Sequence, residues 1–109
     1  MASVLKVLGQ QAPSGITPTT LYTVPSNTST VISSISVCNR SEIATKFRIA
    51  IRPAGATLEN KHYLYYDLAI GGVDTFVATL GITLGAGDVI TVYNTLGTCT
   101  FQAFGEEIS

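Results

Sequence analysis

The sequence predicts an all-β chain: a single antiparallel β-sandwich, jelly-roll-like, of seven to nine short strands. Three observations predict it. Apolar and polar residues alternate with a period of two across Thr45–Arg52, residues 75–80 and residues 99–103, which places one set on each face of a strand. Gly, Pro, Asn, Asp and Ser punctuate these runs at roughly even spacing, as turns do in sandwiches. No stretch of helical period reaches ordinary helix length.

Thr45–Arg52 carries the clearest signal. Phe47, Ile49 and Ile51 alternate with Lys46, Arg48 and Arg52. A helix would scatter those three cations around its circumference, whereas a strand gathers them on one face. Before it, residues 21–24 and 30–38 are rich in Val, Ile, Ser and Thr, and turn residues come after each. Connections this short suit antiparallel neighbours. The three runs therefore read as successive strands of one sheet, with an apolar and a polar face.

The other elements are taken in chain order. The first eight residues contain an apolar run from Ser3 to Leu8, which reads as a strand. Gly9 to Thr20 is a Gly-, Pro-, Gln- and Thr-rich link. Residues 1–20 thus read as an N-terminal strand and arm, and residues 21–109 as the sandwich domain. Pro53 ends the strand at Arg52, because proline cannot serve a central ladder. Residues 57–61 have room for one helical turn. Residues 62–68 form an aromatic strand; strict alternation puts Leu64, Tyr66 and Leu68 on one face and Tyr63 and Tyr65 on the other. Gly71-Gly72 marks a turn or bulge, and residues 81–84 a brief run. Gly85 to Asp88 makes a tight turn into residues 88–94. Residues 95–98 return the chain into Cys99–Ile108, so the last two strands are predicted to form a hairpin. Phe47, Ile49, Ile51, Phe76, Leu80 and Phe101 are the predicted core.

An ordered set of short motifs adds a resemblance. Tyr22-Thr23-Val24-Pro25 precedes a Val/Ile-rich strand ending in Val37-Cys38-Asn39. Ala86-Gly87-Asp88 then precedes a last apolar run at residues 101–106. This set resembles the small β-sandwich structural proteins of tailed-bacteriophage virions, of the decoration or tail-associated type. The likeness runs from about Leu21 to the C-terminus. It implies a structural place in the virion, with capsid or tail proteins as partners. It carries over no catalytic residues. Sparse charge and an apolar strand on a Gly/Pro/Gln/Thr-rich tether at residues 1–20, suited to covering a neighbour's exposed edge, predict a homo-oligomer. The resemblance, with the three-fold points of icosahedral particles, implies a trimer.

Composition bounds the chemistry. A chain of 109 residues fits one domain. Charged residues make up 12%, about half the usual ~25%. So sparse a charge on a small domain points to surface buried against other subunits. The net charge is -1, and the six cations are not massed on one segment, so no nucleic-acid footprint is present. No run approaches the ~20 apolar residues of a membrane helix. The apolar run after Ser3 is too short for a secretory signal and contains Lys6, so the sequence predicts a soluble chain made in a cytosol; the resemblance implies that it is then built into the virion. Cys38 and Cys99 lack metal-like spacing and read as buried thiols.

Catalysis needs a nucleophile, a base and a group that orients the base. His62 is the only histidine, and a lone histidine reads as a packing or surface residue. Asp67, Asp74 and Asp88 lack calcium-loop spacing and read as turn residues. No enzyme, cofactor or metal is therefore predicted. The candidate contact residues are Tyr63 and Tyr65, with Lys46, Arg48 and Arg52. The tyrosines suit sheet packing, a subunit interface or a glycan platform. The cations suit a solvated or edge-guarding face, or a patch for phosphate or glycan. The leading expectation is a capsid decoration protein, with a tail, collar or fibre component or a carbohydrate-binding module as alternatives.

Overall fold

The computed structural model describes residues 2–109. Eight strands carry the chain: β1 (Ser3–Gln11), β2 (Thr19–Thr23), β3 (Ser29–Asn39), β4 (Thr45–Arg52), β5 (Tyr63–Ile70), β6 (Thr75–Leu84), β7 (Val89–Asn94) and β8 (Cys99–Ile108). They form two four-stranded sheets, ordered β1-β8-β3-β6 and β2-β7-β4-β5. Every pairing is antiparallel. The first strand pairs with the last, and successive strands mostly alternate between sheets. This is the eight-stranded double Greek key of a jelly roll.

Two expectations about connectivity are corrected. Strands β2, β3 and β4 are not neighbours in one sheet. β3 lies between β8 and β6, while β2 and β4 flank β7 in the opposite sheet. Nor do β7 and β8 form a hairpin. Both edges of β7 are already taken, by β2 and β4, so residues 95–98 arch across to the other sheet. Among the described residues, β4 and β5 are the only consecutive strands that pair directly.

Several boundaries also move. β1 runs on to Gln11 and pairs with β8 from Ser3↔Ile108 to Gln11↔Phe101. The N-terminal arm is thus an edge strand of its own sandwich; Met1 lies outside the described residues. Gly9 lets β1 close on β2, because a Cβ there would strike the Leu21 carbonyl. β6 extends to Leu84, with Gly81 at φ 66° absorbed as a bulge opposite β3. The single turn expected at residues 57–61 is replaced by two 3₁₀ turns, Pro53–Gly55 and Asn60–His62.

The core fills the space between the sheets. Phe47 and Phe101 are fully buried, as predicted, and so is Ile49. Ile51, Phe76 and Leu80 pack at its margin, partly buried. Rings from both sheets meet there. Phe47 lies 5.5 Å from Phe76 and 6.1 Å from Phe101, centroid to centroid, in tilted and edge-to-face geometries that aromatic pairs favour. Ile32, Ile35, Val37, Ile90 and Val92 complete the centre. Cys99 faces this core, fully buried, and burial pushes its thiol up to about 11. Cys38 is only half-buried. It pairs with Thr100, one register step from Cys99, and so points to the opposite face of the sheet. Both thiols are free.

Two buried asparagines close one end. The Asn39 amide donates to the carbonyls of Ile43 and Gly71, at 2.9 and 3.1 Å. Its oxygen accepts from the Ser41 N–H and the Thr98 hydroxyl. The Asn94 amide donates to the Lys46 carbonyl and the Thr45 hydroxyl. Its oxygen accepts from the N–H groups of Thr98 and Cys99, at 2.6 and 3.0 Å. Each amide thereby satisfies all four of its hydrogen-bonding positions, and Thr98 links the two. Among the described residues no buried side-chain polar atom lacks a partner. Replacing Asn94 by Ala would orphan two buried N–H donors and open a small void. The expected loss is about 3 kcal/mol, read as a lower urea midpoint with an unchanged slope. A loss too small to measure would mean that water replaces the amide.

Candidate functional site

The outer face of the β2 sheet carries the cations and the tyrosines. Lys46, Arg48 and Arg52 share that face as predicted: their register partners are Ala69, Tyr93 and Val89. The tyrosines depart from strict alternation. Along β5 the register slips twice, between its pairings with Ala50 and Ile49, and again between those with Ile49 and Phe47. Each slip is a bulge that reverses which face the next side chain meets. Asp67, at φ 53°, occupies the second; aspartate tolerates this left-handed conformation better than most residues.

The two bulges re-sort the aromatic strand. Tyr65 turns inward, 6.3 Å from Phe47 and 5.4 Å from Phe76, and packs, partly buried, against the core. Tyr66 turns outward with Tyr63. Their rings lie 4.8 Å apart with planes at 81°. The expected pairing of Tyr63 with Tyr65 is therefore replaced by Tyr63 with Tyr66. Alternation could not reveal this, because bulges break the period on which it depends. Asp67 opposite a cationic strand was the one available signal.

Arg48 organises the platform. Its guanidinium lies 4.2 Å from the Tyr66 centroid and 4.4 Å from that of Tyr93, a cation–π arrangement between two rings. Asp67 grips it through two hydrogen bonds, Nε to Oδ1 at 2.7 Å and an Nη to Oδ2 at 3.3 Å. This fork-to-carboxylate geometry fixes orientation as well as charge. Arg48 holds the Asp67 carboxyl below its ordinary range, and Asp67 in turn raises Arg48 further. Arg52 is also engaged: it donates to the Thr91 hydroxyl at 3.0 Å and to the Ala56 carbonyl at 3.0 Å. Only Lys46 of the three remains exposed and outside these contacts. The face is aromatic and internally neutralised rather than an open cationic patch. Beside it, Asn60, Tyr63 and Tyr66 line a concavity of about 490 Å³.

The other candidate groups serve local structure. His62 is buried, and its Nδ1 accepts the Glu59 N–H at 3.0 Å. Asp88 accepts from the N–H groups of Ala54 and Gly85, each at 2.8 Å. Asp74 accepts the Thr75 N–H. Among the described residues no group of three or more His, Cys, Asp or Glu is arranged to hold a metal ion. No protein-family model, curated protein or solved structure matches the chain.

A second polar cluster lies at the β1 end of the sandwich. The Tyr22 hydroxyl donates to Glu107 at 2.6 Å and contacts the Thr30 hydroxyl at 2.8 Å. Lys6 pairs with Glu107 at 3.2 Å. Burial pushes the Tyr22 phenol up to about 12, and Glu107 adds to the rise. The Tyr22 hydrogen bond holds the Glu107 carboxyl below its ordinary value, against the opposing effect of burial, and Lys6 helps. The folded chain therefore takes up the Glu107 proton later than the unfolded chain. The contribution is complete above the unfolded value of ~4.3 and is lost as pH falls through the lower folded value. Glu107→Gln should cost about 1 kcal/mol at neutral pH and flatten the acid limb of the stability curve. Chemical denaturation across that limb checks this; an acid limb identical in the variant would refute the role.

Proposed function

We propose that the chain is a non-enzymatic structural subunit of a virion, a capsid decoration protein that assembles through the free edge of β1 and seats between larger subunits. One observation carries the reading. β1 pairs with β8 along one edge and, among the described residues, has no partner strand on the other. Val4, Leu5 and Val7 stand 53%, 80% and 49% exposed along it. Natural edge strands are usually blunted by free charge, proline or a covering loop. β1 has one lysine, which Glu107 engages, and one bulge, between Val7 and Gly9, which leaves the pairing of residues 3–7 regular. Such an edge is suited to being covered, by a second copy or by a neighbouring subunit.

Two further features agree. Charge is half the usual share, as befits a chain with much surface inside an assembly. Jelly rolls serve in viral capsids and also in lectin domains and cupins, so the fold is compatible with the reading without assigning it. The resemblance of the Tyr22–Pro25, Val37–Asn39 and Ala86–Asp88 motifs to phage virion proteins supplies the biological setting. A tail, collar or fibre position would use the same edge. In the decoration form a homotrimer matches the three-fold seats of an icosahedral lattice.

Light scattering should give about three times the 11.5 kDa chain mass. Replacing Leu5 and Val7 together by Lys should release monomers while leaving the urea midpoint nearly unchanged, since exposed substitutions usually shift stability by less than ~0.5 kcal/mol. Wild-type protein should also sediment with virions that lack it, and antibody labelling would then separate a capsid from a tail position. A monomer at high concentration that also ignores such particles would overturn the proposal.

A further inference from the structure

We infer that the corner between Tyr63 and Tyr66 is a binding site for a neutral carbohydrate. The inference goes beyond the assembly reading and does not depend on it. The two ring planes meet at 81° with centroids 4.8 Å apart. They form two walls of the concavity of about 490 Å³ that Asn60 also lines. That volume lies within the ~300–1,000 Å³ of ordinary small-molecule sites. Tyr66 is 58% exposed, yet it is not free to swing. The Arg48 guanidinium rests 4.2 Å from its centroid, and Asp67 fixes that guanidinium from the side. An exposed ring already held in place loses little freedom when a ligand stacks on it. The β5 bulges that turn Tyr66 outward and Tyr65 inward create the corner.

The chemistry of the corner selects the ligand. Two aromatic rings offer flat apolar surface to the C–H face of a pyranose. Two phenolic hydroxyls and the Asn60 amide offer both donors and acceptors. A wholly apolar ligand would leave those groups dry and unpaired, which costs affinity. An anionic ligand would need a free cation. Arg48, which touches the Tyr66 ring, is neutralised by Asp67 at 2.7 Å. Arg52 is turned back to Thr91 and the Ala56 carbonyl, and the exposed Lys46 and Lys61 do not line the concavity. A neutral polyol with one apolar face satisfies all of these conditions.

The test is a titration of the isotope-labelled full chain, monitored by amide NMR, with neutral saccharides built on glucose, galactose, mannose and N-acetylhexosamines. Acidic and phosphorylated sugars form a second arm. At least one neutral class should shift resonances confined to Asn60, Tyr63, Tyr66 and their neighbours. Tyr66→Ala should weaken that binding by about tenfold or more, the change expected for loss of one stacked ring, while Tyr66→Phe retains most of it. Asn60→Ala, at an exposed position, should weaken it too and serves if Tyr66→Ala fails to fold. The inference is overturned if no neutral sugar shifts these residues, if only the acidic or phosphorylated arm binds, or if binding survives both alanine variants. A trimer that seats on particles but ignores every neutral sugar would overturn this inference alone. A monomer that binds sugar at the corner would overturn the assembly reading alone.

Discussion

The fold depends on the hydrogen bonds of two buried side chains, Asn39 and Asn94. A jelly roll must carry its chain repeatedly from one sheet to the other, and each crossing removes backbone groups from a ladder. At one end of this sandwich three connections meet: β3 to β4, β5 to β6 and β7 to β8. Asn39 holds the first two together through Ile43 and Gly71. Asn94 holds the third to β4 through Lys46. Thr98 donates its hydroxyl to one asparagine and its N–H to the other. The amides thus do for the loops what ladder bonds do for the strands. Buried and saturated networks of this kind specify one arrangement, because a competing one would leave polar groups dry.

Much of this is legible in the residues, and the failures have physical causes. Period-two alternation locates β4 and β8 to the residue and most other strands to within a few. It finds the outward cation face of β4 and the buried Phe47, Ile49 and Phe101. Alternation carries no information about which strand lies beside which, so the short β2–β3 and β3–β4 connections look like links between neighbours in one sheet. Asn39 looks like an ordinary turn residue and Asn94 like an ordinary strand end. Only the fold shows that they are buried and bridge loops far apart in sequence. The tyrosines fail for a different reason. Each bulge in β5 reverses the facing of the residues beyond it, and two bulges within one strand exchange Tyr65 for Tyr66 on the outer surface.

Charge is sparse and mostly engaged within the chain. Arg48 is held by Asp67 and two rings, Arg52 by backbone and Thr91, and Lys6 by Glu107. The surface left outside includes a neutral aromatic corner on one sheet and an apolar edge on the other. Neither is needed to complete the core, which is closed without them. They are at different places: the corner is built on β4, β5 and β7, the edge on β1. The two proposed binding surfaces are therefore separate.

The proposal that β1 is an assembly edge makes a direct demand on its backbone. Amide hydrogen exchange, resolved by residue, should be compared in dilute protein and in the assembled particle. The account predicts that the β1 amides β8 leaves unpaired exchange quickly when the chain is dilute. In the assembly they become protected, while Thr98 and Cys99 stay slow in both. Equal, fast exchange of β1 in the two states, with protection gained at some other surface, would contradict it.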